Sequence, residues 1–434
     1  MSRRSRSVFG AGSALVLMIV VLTPSPASAI PAFARKYGLR CTACHEAWPA
    51  LNDFGRAFRD NGYQLLQGKD NPTTTTQAYI PVSLRLTPHY EFAMATHQQT
   101  DRGTQTLKAG GISTIGLDLL VGGTLFDDVS FLVVPAGFTS DEGVTLESAW
   151  VRFSNLGGSS WANLKLGKHD LDLPRAAHRR WNLSPTGYLI YGYHPPGSAS
   201  VYDLGEGQRG IEWVGHDRGS LTRAVVSVFN VGESPGARSV FDTPGVHAHV
   251  TRQWLFDREG LSAVRVGGFG SYTTWPTSTL TQNSEPIPGQ GSDLEGSSKV
   301  GFDAHLWFGP TVTPVHLIFV FAHGRDSEAL IADATRDATF NGGFVELGYT
   351  PTLRTTVFGR YDVIRNHTQA VVENPQHLND EDAQTIGLRH TFNFTTRAEY
   401  TLHAEFSTMR TKLAAADGSD VRNNTVFFGV DFAF

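Results

Sequence analysis

The chain has only two cysteines, Cys41 and Cys44, in 434 residues, and that scarcity excludes a disulfide-built fold. Methionine is nearly as rare, with four residues. No basic excess exists either. Thirty-six Lys and Arg stand against 41 Asp and Glu, net −5, which excludes the cationic surface that nucleic acid requires. Long apolar runs are missing beyond residue 22, so no helix is expected to cross a membrane. The one apolar run, residues 14–22, follows Arg3, Arg4 and Arg6 and leads to the small-x-small site Ala27-Ser28-Ala29. It is too short for an anchor, and residues 1–29 read as a cleaved export signal. An exported chain without an apolar helix can reside in a membrane only as a closed barrel. The abundant residues agree: 45 glycines, 11% aromatics and many Thr- and Val-rich runs favour strands over helices.

The two cysteines stand in "LRCTACHEAWPALNDFG", residues 39–55, as C-x-x-C-H with His45. A disulfide or a redox C-x-x-C has no use for that histidine, and a zinc site needs ligands that the neighbourhood lacks. Covalent haem uses all three residues. Two thioethers hold the macrocycle edge and the adjacent imidazole serves as proximal iron ligand. The flanks predict a small helical wrap. "PAFARKYG" stops at Gly38, Leu51, Phe54 and Phe58 make an apolar stripe, Asn52 or Asp53 caps the helix start, and Asn61-Gly62 stops it. That stripe would be the core of the module and the haem face at once. A distal ligand is absent from the segment. Residues 30–77 contain no Met and no His besides His45, so a sixth ligand would come from the rest of the chain or be a less usual group; otherwise the iron is five-coordinate or water-bound.

Residues 69–82 are polar and turn-rich and read as a linker. Beyond them the helical period gives way to alternation. Ala398, Tyr400, Leu402, Ala404 and Phe406 share one face of a strand, while Arg397, Glu399, Thr401, His403, Glu405 and Ser407 share the other. About sixteen such strands are predicted, joined alternately by short turns such as "GTLF", "GHDRGS" and "FDREG" and by long insertions near 97–110, 170–207, 274–297 and 367–381. This is the pattern of an antiparallel transmembrane β-barrel with short periplasmic turns and long outer loops, rather than of a soluble sandwich. The charged faces predict a polar lumen. The last strand, "NNTVFFGVDFAF", ends on Phe434, like the C-terminal signal read by outer-membrane assembly machinery. The expected organisation is a signal at 1–29, a monohaem module at 30–68, a linker at 69–82 and the barrel at 83–434, the module lying at the periplasmic mouth or in the lumen.

Other candidates carry less. His89, His97, His247, His249, His305 and His403 fall on wet faces and read as polar lumen groups, though they form a pool for a distal ligand or a metal-ion path. Met94 is expected against lipid and Met409 near the outer rim. "HDLDLPRAAHRRW", residues 169–181, could form a lid or metal-contact surface and reads most simply as a solvated loop.

The stretch "PAFARKYGLRCTACHEAWPALNDFGRAFRDNGYQL" resembles the fused monohaem c-type cytochrome–porin family of bacterial outer membranes. The matching positions are Pro31, Phe33, Ala34, Arg35, Gly38, Cys41, Cys44, His45, Pro49, Leu51, Phe54, Gly55, Phe58, Gly62 and Tyr63. The barrel matches in architecture alone. The resemblance implies one covalent haem c and an electron conduit from an extracellular donor, Fe(II) in the iron-oxidase members, to a periplasmic carrier such as a soluble cytochrome. Outer-membrane lipid is then the surrounding partner. A porin or solute channel with a haem-bearing plug or sensor is the alternative, and an open iron position would also suit a peroxidase-like enzyme.

Overall fold

The alternation along the chain becomes sixteen antiparallel strands that close on themselves in a computed structural model. The structure describes residues 32–65, except 38, 40, 48 and 49, and 82–433. Within the latter, 101–102, 137–143, 176–180, 183–186, 196–197, 201, 232–243, 258–261, 278, 281–285, 288–292, 310–313, 332–333, 335, 353, 368–379, 395–398 and 413–418 lie outside the description. The export signal, Phe434 and all of the linker but Val82 also lie outside it.

The strands are β1 Val82–Thr100, β2 Gly103–Phe126, β3 Val129–Ala136, β4 Thr145–Phe153, β5 Asn163–Asp170, β6 Gly207–His216, β7 Thr222–Asn230 and β8 Pro244–Leu255. The circuit continues through β9 Ala263–Pro276, β10 Leu294–Phe308, β11 Val315–Asp326, β12 Ala338–Thr352, β13 Thr355–Asn366, β14 Glu381–Phe394, β15 Glu399–Thr411 and β16 Val421–Ala433. Each strand pairs with its sequence neighbours, and β16 returns to β1. Arg85 of β1 clasps Asp431 of β16 through two bonds of 3.0 and 3.2 Å across that seam.

Side-chain period two divides inside from outside. On β13, Thr356, Phe358, Arg360 and Asp362 are buried inward, while Val357 and Tyr361 are exposed outward. On β15, His403 and Glu405 point in and Phe406 points out. The outer surface is an apolar belt, with Val300 60% and Ile386 61% exposed. Phe126, Trp161, Trp254, Phe256, Phe308 and Phe392 stand exposed near the rim of short turns, as an aromatic girdle does at a membrane interface.

Two expectations need correction. Residues 97–110 are not a long loop: β1 and β2 go on pairing up to Thr100 and Gly103. The Gln- and Thr-rich sequence there satisfies its backbone as a hairpin extension. His97 does not face the lumen. It sits at a register shift between Ala95 and Gln98, with φ of 55°, and is exposed, because the bulge breaks the alternation that would have pointed it inward.

Candidate functional site: the N-terminal helices and the lumen

Three short helices precede the barrel: α1 Ala32–Tyr37, α2 Cys41–Cys44 and α3 Asp53–Asp60. Asn52 caps α3, accepting from the Gly55 amide at 2.8 Å, and its own amide group donates to Ala43 O at 3.0 Å. Its backbone N–H bonds Cys44 O at 2.9 Å. One residue therefore ties the start of α3 to the end of α2. Gly55 completes the join, because a Cβ at that position would run into the Cys44 carbonyl. Asn61 and Gly62, the latter at φ 73°, end α3 as expected.

Cys41 opens α2 and Cys44 closes it, and His45 follows at the head of a two-stranded ladder, 45–47 with 50–51. Cys44 is half-buried and not in a disulfide, and burial pushes its thiol up to about 11. His45 is half-buried and pairs across the ladder with Leu51, so the two side chains share a face. The predicted stripe divides. Phe58 is buried in a cluster with Phe33, Tyr37 and Tyr63, whereas Phe54 remains 44% exposed. A free thiol, an adjacent imidazole and an uncovered aromatic fit covalent haem, whose apolar faces need such partners. Cys41, Cys44 and His45 are the residues that would hold it.

The barrel wall grips these helices from inside, close to the short turns. Arg152 of β4 donates to the carbonyls of Arg59 and Asp60, at 2.9 and 2.5 Å, satisfying the open C-terminal end of α3. Tyr63 stacks on Trp150 at 5.7 Å, and Lys36 donates to Thr124 at 2.8 Å. Gln253 reaches Asp53 at 3.2 Å and Arg223 reaches Asp60 at 3.1 Å. Burial alone would raise the Asp60 carboxyl, but Arg223 and Arg59 outweigh it and hold the group well below the ordinary carboxylate range.

Residues 169–181, within the insertion expected at 170–207, were read most simply as a solvated loop, and the structure overturns that. The described residues of the connection 171–206 fold into the lumen. Leu171, Leu173 and Ile190 are buried there with inward Phe269, Phe340 and Phe344, and buried Trp181 packs on inward Phe358. Those wall phenylalanines occupy positions that the alternation assigned to a polar lumen, so the lumen carries an apolar patch that attracts the loop's apolar residues. Gly342 and Gly348 on β12 leave the room: a Cβ would meet Ile190 at the first and the Trp181 ring at the second. Polar groups of the loop are bound too. Arg175 and Tyr188 both donate to Glu346, at 3.0 and 2.8 Å. Burial, then Glu346, raises the Tyr188 phenol well above its usual value.

Loop and helices meet through one buried chain of charges. Arg223 ion-pairs with both Asp60 of α3 and Asp172 of the loop. His249 joins Asp172 to Asp303, at 2.9 Å on each side. Burial opposes ionisation of Asp172, yet Arg223 and the His249 hydrogen bond hold its carboxyl far below normal. With both ring nitrogens engaged, His249 has none left for a metal. Beside this chain a cavity of about 80 Å³ separates α3 from the loop, and Leu51, Arg56, Arg265 and His305 are among its walls. His305 lines it while bonding His316 at 3.1 Å. His89 and His403 lie buried inward as expected, far from this chain's partners: His89 stacks on Phe427 and His403 bonds Arg389. Among the described residues no group of three or more His, Cys, Asp or Glu is placed to hold a metal ion.

Solved structures of this shape exist. The outer-membrane channel DcaP of Acinetobacter baumannii aligns over 84% of this chain and 100% of its own, at 11% identity and a TM-score of 0.51. The anion-selective porin of Comamonas acidovorans aligns over 81% and 99%, at 12% identity and 0.51. The chain has the fold of an outer-membrane porin. No family model and no curated sequence matches it. At such identities the likeness concerns the barrel alone.

Sequence reasoning singled out Cys41, Cys44 and His45, and Asp172 within the stretch 169–181, but not Arg223, Arg56 or Arg265. One signal was available: inward positions of β12 read Phe340, Gly342, Phe344, Glu346, Gly348, which suits a surface packed by protein better than a wet one.

Proposed function

We propose that this chain is an outer-membrane electron conduit of the fused monohaem cytochrome–porin kind. The barrel spans the membrane, Cys41 and Cys44 anchor one haem c, and His45 is the proximal ligand. Electrons pass from an extracellular donor, with Fe(II) the first candidate, to a periplasmic carrier such as a soluble cytochrome. What supports this reading most is the C-x-x-C-H spacing of Cys41, Cys44 and His45 ahead of α3, whose end bonds Arg152 and Arg223 of the wall, in a barrel with an inner loop buried in its lumen. Such a loop hinders free diffusion of solutes but leaves a protein medium in which a redox group can be fixed.

When bound, haem c supplies one-electron redox chemistry. The chain's own residues do the rest. Asn52 and Gly55 fix Cys44 against α3, and Arg152 and Arg223 fix α3 against the wall. Leu51 and the loop's Leu173 give the charged cavity an apolar margin.

Purified protein is expected to show a c-type haem spectrum that survives acid–acetone extraction, and Cys44→Ala to lose covalent attachment. A wild-type spectrum without haem, or undiminished donor oxidation by a haem-free Cys44→Ala protein, contradicts the reading. The second reading, a solute channel with a plug, draws support from the fold shared with a channel and an anion-selective porin. Planar-bilayer recording separates the two. A large steady conductance supports the channel, and a closed barrel that opens only when residues 171–206 are replaced by a short linker supports the conduit.

A further inference from the structure

On the outward side of β11, β12 and β13 the apolar belt has a gap. Cross-strand pairing sets outward residues in rows there: Phe321, Gly343 and Val363 form one, and His323, Asn341 and Arg365 form the next toward the long connections. Gly343 adds no side chain to its row. A Cβ at that position would run into the Val320 carbonyl, so the chain cannot fill the place itself. A cleft of about 170 Å³ is left between Phe321 and Val363, with exposed Val345 and Tyr361 at its other end. The row above the cleft is polar. His323 Nδ1 meets the Asn341 carbonyl oxygen at 2.8 Å, and the Asn341 amide group donates to His367 Nε2 at 2.6 Å. Both histidines are exposed, and among the described residues His323 Nε2 and His367 Nδ1 have no partner. Arg325 and Arg365 flank them, held by Asp337 and Asp382.

We propose that this face holds one outer-leaflet glycolipid with a phosphorylated sugar head, one acyl chain lying in the cleft at Gly343 and a phosphate resting on His323 and His367. The proposal depends on the outer-membrane barrel and is independent of haem. The surroundings select the occupant. Long connections mark the outer side of such a barrel, so the polar row sits at headgroup depth and the cleft at acyl-chain depth in the outer leaflet. An outward cleft within the belt meets hydrocarbon and no water. The head region offers ring N–H groups that suit phosphate oxygens. It also offers Asp337 and Asp382, which repel phosphate and accept from hydroxyls. From His323 on β11 to Asp382 on β14 these groups cross three strand spacings, about 14 Å. That width fits a sugar head better than a single phosphate ester.

The test is photocrosslinking of the full-length protein in bilayers that hold either lipid A, a phosphorylated disaccharide lipid, or phosphatidylethanolamine, each with a diazirine in one acyl chain. Heat-modifiable migration verifies the folded barrel in every sample. With lipid A, the wild type is expected to be labelled mainly on residues 319–323 and 343–345. Val363→Trp fills the cleft and is expected to cut that labelling about tenfold, the effect of about two methylene groups left unburied. The double variant His323→Ala, His367→Ala is expected to lower it as well. Val250→Trp, at an exposed outward position on β8, is expected to leave it unchanged. Even labelling around the belt of the wild type overturns the proposal, as does cleft labelling that survives Val363→Trp in a folded barrel. If Val363→Trp does not fold, the wild-type map and the double histidine variant decide: cleft labelling that falls with the histidines supports the site, and labelling that ignores them overturns it. Phosphatidylethanolamine that labels the cleft as strongly as lipid A overturns the glycolipid assignment.

Discussion

At the scale of single residues, the account depends on how tightly α2 is held. Gly55 is the sharpest case, because its missing side chain lets α3 touch the Cys44 carbonyl. Gly55→Ala is expected to push α2 away and cut covalent haem content to well under half, with the barrel's heat-modifiable migration unaltered. Full haem loading in that variant would show that the contact is dispensable. The cap gives a milder test: Asn52→Ala is expected to cost about 1 kcal/mol of local stability, read as faster proteolysis of residues 32–65. Cys41, Cys44, His45 and the cap were legible in the sequence because local spacing encodes them. Arg152, Arg223 and the pairing of Asp172 were not, since their partners lie far along the chain and nothing local marks an arginine as the one that closes a helix end.

Elements show the same division. Strand positions followed from alternation, and the sixteen predicted segments correspond to β1–β16 with shifts at their ends. Alternation misses a departure from period two, such as the bulge at His97, and it does not tell what an inward face packs against, as with the phenylalanines of β12 that seat the loop. The loop itself looked polar because "HDLDLPRAAHRRW" mixes charges, yet those charges find partners inside: Asp172 with Arg223 and Arg175 with Glu346. This pairing sets a pH dependence. Asp60 and Asp172 both sit below the unfolded-chain carboxylate value of about 3.9. Their contribution to docking is therefore complete above about pH 4 and lost as pH falls through the lower folded values. Limited proteolysis across pH is expected to find the N-terminal helices protected at neutral and mildly acid pH and released only in strong acid. Release between about pH 5 and pH 7 would refute the charge chain as the latch. Arg223→Ala removes the shared partner of both acids and is expected to cost about 3–5 kcal/mol of docking stability, visible as release already at neutral pH.

For the whole molecule, the disproportion between a short C-x-x-C-H segment and a very large remainder has a physical explanation. Three small helices could not bury a core alone. Here the barrel wall supplies one side of that core through Trp150, Arg152 and Arg223, and the inner loop supplies a second through Asp172. The barrel is thus a scaffold for these helices, and under the proposed function it is the passage as well. The central claim is that electrons, and not solutes, cross it. The most direct measurement uses proteoliposomes holding a trapped soluble cytochrome, the purified protein in the bilayer and a membrane-impermeant one-electron donor outside. The account predicts rapid reduction of the trapped cytochrome with the wild type and none above background with Cys44→Ala. Equal reduction by both proteins, or none by a haem-loaded wild type, would contradict it.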